Sequence, residues 1–138
     1  MLFKEIPGNS LVKKQLVATI TQNRVSHAQL FSGNSGSAKL ALAFAYARYL
    51  NCHNKSNKDS CATCPSCVKY STLSHPDLHL VFPVLKTGGT KSSVSDNFLK
   101  EWRDFTLKNP YNSLDNWTNS FGAENKKGEK GSIYKDEA

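Results

Sequence analysis

The sequence predicts an α/β fold: a parallel sheet flanked by helices, carrying an inserted four-cysteine metal knuckle. Three observations predict it. Residues 28–32 (AQLFS) are a short apolar run that stops at Gly33, followed by a Gly/Ser-rich turn and the Ala/Leu-rich segment 38–50 (AKLALAFAYARYL). Strand, glycine-containing loop and helix in immediate succession open an α/β unit. Residues 78–84 (LHLVFPV) form a second apolar run, and between the two runs all four cysteines crowd into residues 52–67.

The elements follow in order. Residues 1–9 read as an extended lead-in with a turn at Pro7-Gly8. Ser10 is placed to cap a helix, and Val12, Leu16 and Ile20 recur at one-face spacing to about Asn23. The first run, bounded by Gly33, suits a buried strand, and 38–50 is a strong helix by propensity. Residues 53–60 (HNKSNKDS) are polar and loop-like, and 68–73 (VKYSTL) suit a short helix ending near Ser74-His75-Pro76. Residues 87–93 (TGGTKSS) read as a loop. From Asp96 to Leu107, Phe98, Leu99, Trp102 and Phe105 keep helical spacing, and Asn109-Pro110 ends that helix. Residues 113–122 fit another helix, with Ser113 as cap and Gly122 past the end. Residues 124–131 (ENKKGEKG) are a charged loop, and 132–138 (SIYKDEA) a weak strand or a helix entry.

Composition narrows the classes. The chain has 138 residues, 38% hydrophobic, enough for one globular core. No stretch approaches the ~20 apolar residues of a membrane span, and the first residues lack the apolar core of a secretory signal. These features predict a cytoplasmic protein without membrane partners. The net charge is +7, and the first 70 residues carry nine basic side chains against only Glu5 and Asp59. A basic half points to nucleic acid, nucleotide or an acidic partner, or to a merely solvated surface.

Cys52, Cys61, Cys64 and Cys67 are spaced C-x8-C-x2-C-x2-C. Four thiolates satisfy the tetrahedral preference of Zn²⁺, and a site closed by four protein ligands is structural rather than catalytic. Other readings stand beside it. An iron–sulfur cluster also takes four cysteines, although this spacing fits neither ferredoxin run. A CxxC redox pair leaves two cysteines unexplained. His53, His75 or His79 could replace one cysteine as ligand.

Residues 33–40 (GNSGSAKL) approximate the phosphate loop G-x-x-x-x-G-K-[ST], placed after a strand and opening a helix. Gly33, Gly36 and Lys39 are the residues that would cradle phosphate, through curled backbone, helix N-terminus and ammonium. Ala38 stands where the second glycine belongs, and Leu40 replaces the hydroxyl that would ligate Mg²⁺. No Mg²⁺-dependent hydrolysis is expected. Either weak phosphate binding survives, or the loop has lost ATP and ADP altogether and Leu40 packs inward.

Taken together, residues 25–31 (VSHAQLF), Gly33 with Lys39, Leu50-Asn51-Cys52, the three cysteines at two-residue gaps, and Ser74-His75-Pro76-Asp77 resemble bacterial clamp-loader subunits of DNA polymerase III. The resemblance covers roughly residues 1–84. It implies an AAA+ module with a parallel sheet, into which the zinc knuckle (residues 51–70) is inserted. The family's gamma/tau branch keeps an intact G-K-[ST], whereas its delta prime branch often has a degenerate loop and does not hydrolyse ATP. Ala38 and Leu40 align this chain with the latter. The implied role is loading the sliding clamp onto primer-template DNA, in a complex with gamma/tau and delta subunits. Residues 85–135 match the family pattern poorly and read as a lineage-specific insertion, with Trp102, Phe105 and Trp117 as its core. Residues 1–138 are then part of an AAA+ module, the front of a longer protein. Two rival readings are a gamma/tau-like ATPase and a freestanding zinc module that binds nucleic acid through its basic half.

Overall fold

The structure is a computed structural model, and it describes residues 1–85, 94–120 and 131–134. The apolar residues divide between two compact units, Met1–His75 and Pro76–Ala138, rather than filling one core.

The first unit holds three α-helices. A 3-10 turn at Phe3–Glu5 precedes α1 (Ser10–Thr21), α2 (Lys39–Leu50) and α3 (Pro65–Ser71). Helix α1 begins at Ser10 itself, with Asn9 as a left-handed cap that makes no side-chain bond. Alanine and leucine build α2, whose buried Ala41, Leu42, Phe44, Ala45, Tyr46 and Tyr49 form the centre of this unit. Leu16 and Val17 of α1 are buried, as are Leu2, Phe3 and Ile6 of the lead-in. Phe3 meets Tyr49 edge-on at 5.9 Å between ring centroids.

The second unit holds a 3-10 turn (Ser95–Phe98), α4 (Leu99–Lys108) and α5 (Leu114–Asn119). Ser113 caps α5, accepting the Asn116 N–H at 3.2 Å, as its sequence predicts. Helix α4 stops before Pro110, also as predicted. Phe82, Val84, Phe98 and Trp117 form the core, with Trp102 and Phe105 packed against it. The Phe82 and Trp102 rings stack at 4.4 Å, and Trp117 meets both edge-on. Residues 87–93, Gly122, 124–130 and 135–138 of the predicted loops and strand lie outside the described residues.

The predicted parallel sheet is overturned. Among the described residues there is no strand, and β-pairing is confined to one isolated antiparallel bridge, Val84 to Ser132. The physical reason is visible in both apolar runs. In 28–32, Leu30 is 91% exposed, where a parallel strand would be covered on both faces. At Phe82 and Pro83 the backbone polar groups are met by side chains. The Phe82 N–H donates to Ser95 Oγ, which itself donates to the Phe82 carbonyl, both at 3.0 Å. Trp117 Nε1 donates to the Pro83 carbonyl at 2.7 Å. A segment so satisfied has no remaining need of a ladder. Among the described residues, no helix is long and apolar enough to cross a membrane.

Candidate functional site

The four cysteines converge. Cys52 follows the end of α2, Cys61 lies in the loop before α3, Cys64 is the N-cap of α3, and Cys67 lies in its first turn. Their sulfur atoms all lie within 4.8 Å of one another, and no histidine joins the group. Cys52 Sγ is 3.6 Å from Cys61 Sγ, which is 3.9 Å from Cys67 Sγ. These are non-bonded separations, and all four cysteines are free of disulfides. Four sulfurs at ~2.3 Å around one tetrahedral ion are about 3.8 Å apart, so the set fits a single metal ion. A multi-iron cluster would hold them further apart.

Backbone N–H groups point at the sulfurs in succession: Cys61 to Cys52 Sγ at 3.3 Å, Cys64 to Cys61 Sγ at 3.4 Å, and Cys67 to Cys64 Sγ at 3.5 Å. Such donors favour thiolates. The N–H groups of Cys64 and Thr63 hold the Cys61 thiol down at about 5. Cys64 is lowered by the N–H groups of Cys67 and His53, so His53 serves the cluster through its backbone. Burial pushes the Cys52 thiol up to about 12. A dication would meet ready thiolates on one side and displace a proton from Cys52 on the other.

The loop between Cys52 and Cys61 is anchored at three points that sequence reasoning missed. Tyr49 Oη donates to the Ser56 carbonyl at 2.6 Å. Asp59 Oδ2 accepts the Lys4 N–H at 3.0 Å, and Ser56 Oγ accepts the Asp59 N–H at 3.0 Å. The S-x-x-D pattern of residues 56–59 was the available signal for the last contact. On α3, Tyr70 stacks on His75 at 4.5 Å and accepts the Asn51 side-chain amide at 2.7 Å.

The phosphate-loop candidate is built differently from its motif. Gly36 adopts φ +77°, which glycine tolerates. Ala38 holds φ +64° at the start of α2, keeping a glycine-like backbone under a methyl group. The loop's donors turn onto the loop itself: the Ser37 N–H at 3.1 Å and Lys39 Nζ at 3.0 Å both meet the Asn34 carbonyl. Leu40 is half-buried rather than packed away. Beside the loop lies a cleft of about 280 Å³ lined by Leu16, Gln29, Phe31, Gly33, Lys39 and Leu42, among others, and by no carboxylate.

Residues 8–116 match the profile of the family described as DNA polymerase III, delta subunit. The delta' subunit of DNA polymerase III from Bacillus subtilis is 39% identical over 72 residues, covering 52% of this chain and 22% of that protein. The gamma/tau subunit from Mycobacterium tuberculosis is 38% identical over 66 residues, 48% of this chain and 11% of that protein. STICHEL-like 4 of Arabidopsis thaliana is 37% identical over 68 residues, 49% of this chain and 7% of that protein. The chain therefore spans less than a quarter of the length of each of these relatives. No solved structure matches.

Proposed function

We infer a role in replication from one premise: the chain belongs to the DNA polymerase III delta subunit family, whose profile matches residues 8–116. We propose that it acts in the clamp loader, helping to place the sliding clamp on primer-template DNA alongside gamma/tau and delta subunits. The family match carries this reading. The loop supports the delta prime branch over the gamma/tau one. Leu40 offers no oxygen to Mg²⁺, Ala38 stands in place of glycine, and Lys39 rests on the Asn34 carbonyl. Gly33, Gly36 and Lys39 are then the remnant of a phosphate site.

The cysteine set supports one structural zinc. Cys52, Cys61, Cys64 and Cys67 would hold it, and the ion would supply a cross-link between the end of α2 and the start of α3. With four thiolates the site is closed, so water and substrate gain no position on the metal.

Mixing the chain with the gamma/tau and delta subunits of its own organism tests the assembly. Co-elution in one complex by size exclusion is expected, with faster clamp loading on primed DNA than the other subunits give alone. Separate elution with undiminished loading sinks the reading. Elemental analysis of freshly reduced protein should find about one zinc per chain. Iron, or no metal, overturns that assignment independently of the first test.

A further inference from the structure

A groove of about 640 Å³ lies between the lead-in, α1 and the knuckle loop, on a different part of the first unit from the phosphate loop. Binding pockets commonly span ~300–1,000 Å³. Ala18 and the edges of the buried Phe3 and Val17 give it an apolar floor, and Lys4, Lys13, Lys14 and Lys58 stand around it. Its one acid, Asp59, is spent on backbone: Oδ2 accepts the Lys4 N–H at 3.0 Å and Oδ1 the Ser60 N–H at 2.8 Å. Lys13 Nζ donates to the Ile6 carbonyl. Lys4, Lys14 and Lys58 are exposed and pair with no carboxylate among the described residues.

We propose that this groove docks an acidic, amphipathic segment of a partner protein. The floor suits a row of apolar side chains, and the lysines suit Glu or Asp on either flank. That combination is how an amphipathic helix is read by a groove. Lysines at the rim steer such a partner and set its orientation. The groove is poorly made for nucleic acid. No arginine lines it, and its single aromatic residue, Phe3, is 2% exposed, leaving no ring face for a base to stack on.

The test titrates the full, metal-loaded chain with three labelled helical peptides of about 16 residues. All carry Leu at i, i+3, i+4 and i+7, and they differ only in having Glu, Ser or Lys on the flanks. A single-stranded DNA of similar length is the fourth probe. The Glu peptide should bind about tenfold more tightly than the Ser peptide and the DNA, with affinity falling as salt rises. The double change Lys14→Glu/Lys58→Glu should weaken it about tenfold. Arg24→Glu/Lys69→Glu makes the same charge change outside the groove and should leave binding within about twofold. If Lys58→Glu disturbs the knuckle loop, Lys14→Glu alone, on α1, should still weaken binding about threefold. Equal losses in the groove and control variants, tighter DNA binding, or no preference for the Glu peptide overturns the proposal.

Discussion

Tyr46 shows how much one hydroxyl organises in the first unit. Thr19 Oγ1 already donates to the Leu16 carbonyl at 2.7 Å, so at its 2.9 Å contact with Tyr46 the tyrosine hydroxyl is the donor. Gln29 Nε2 donates to the same hydroxyl at 2.8 Å, tying the extended residues before the phosphate loop to α2. Tyr46→Phe should therefore lose two hydrogen bonds while keeping its packing. A loss of about 1–2 kcal/mol in urea denaturation is expected. No loss would mean that water replaces both bonds without cost. At this scale the sequence was partly legible. The departures at Ala38 and Leu40, and the cysteine spacing, stand in the letters. The turning of Lys39 onto Asn34 does not, because a flexible ammonium finds its partner only once the loop's carbonyls are placed.

At the scale of elements, the cysteine cluster bears on α3. Seven residues fall well short of the roughly 12–15 that an isolated helix needs, so α3 is held by what surrounds it. Cys64 Sγ caps it by accepting the Cys67 N–H, while Tyr70 and Leu73 are buried. Removing the metal with a zinc-selective chelator, or changing Cys64→Ser, should speed amide exchange throughout α3 and at Cys61. The amides of α1 and α2 should keep their protection. Unchanged exchange in α3 would show that packing alone suffices. In the second unit, Trp117→Phe removes the donor to Pro83 and leaves space in an aromatic cluster. It should cost about 1–3 kcal/mol, read by urea unfolding with Trp102 as the remaining fluorophore. Helices were the more legible elements here. Their periodicity and stop signals are local: Ser113 caps α5, and Pro110 follows the end of α4. The two apolar runs were not legible as extended segments without a sheet. A run of four to seven apolar residues has the same appearance in either case, and the partners that satisfy Phe82 and Pro83 are single side chains remote in sequence.

Charge is distributed over the whole molecule in a way that bears on catalysis. The first 70 residues contain only two carboxylates, and both are engaged by backbone. Glu5 Oε2 accepts the Leu2 N–H at 2.7 Å, and Asp59 accepts those of Lys4 and Ser60. The cleft beside the phosphate loop is lined by no acid, and Leu40 supplies no hydroxyl. Mg²⁺ is bound through carboxylate, hydroxyl and phosphate oxygens in ATP-hydrolysing sites, and here the cleft offers no carboxylate and Leu40 no side-chain oxygen. Whatever affinity Lys39 and the start of α2 retain for phosphate should be independent of Mg²⁺. Titration of labelled ATP with and without added Mg²⁺ should give affinities within about twofold of each other. Phosphate release by this chain should not exceed the rate without protein. Tight binding that depends on Mg²⁺, or measurable turnover, would favour the gamma/tau branch while leaving the family unchanged. The surplus of positive charge is then free for another use, and four of its lysines already stand around a single groove.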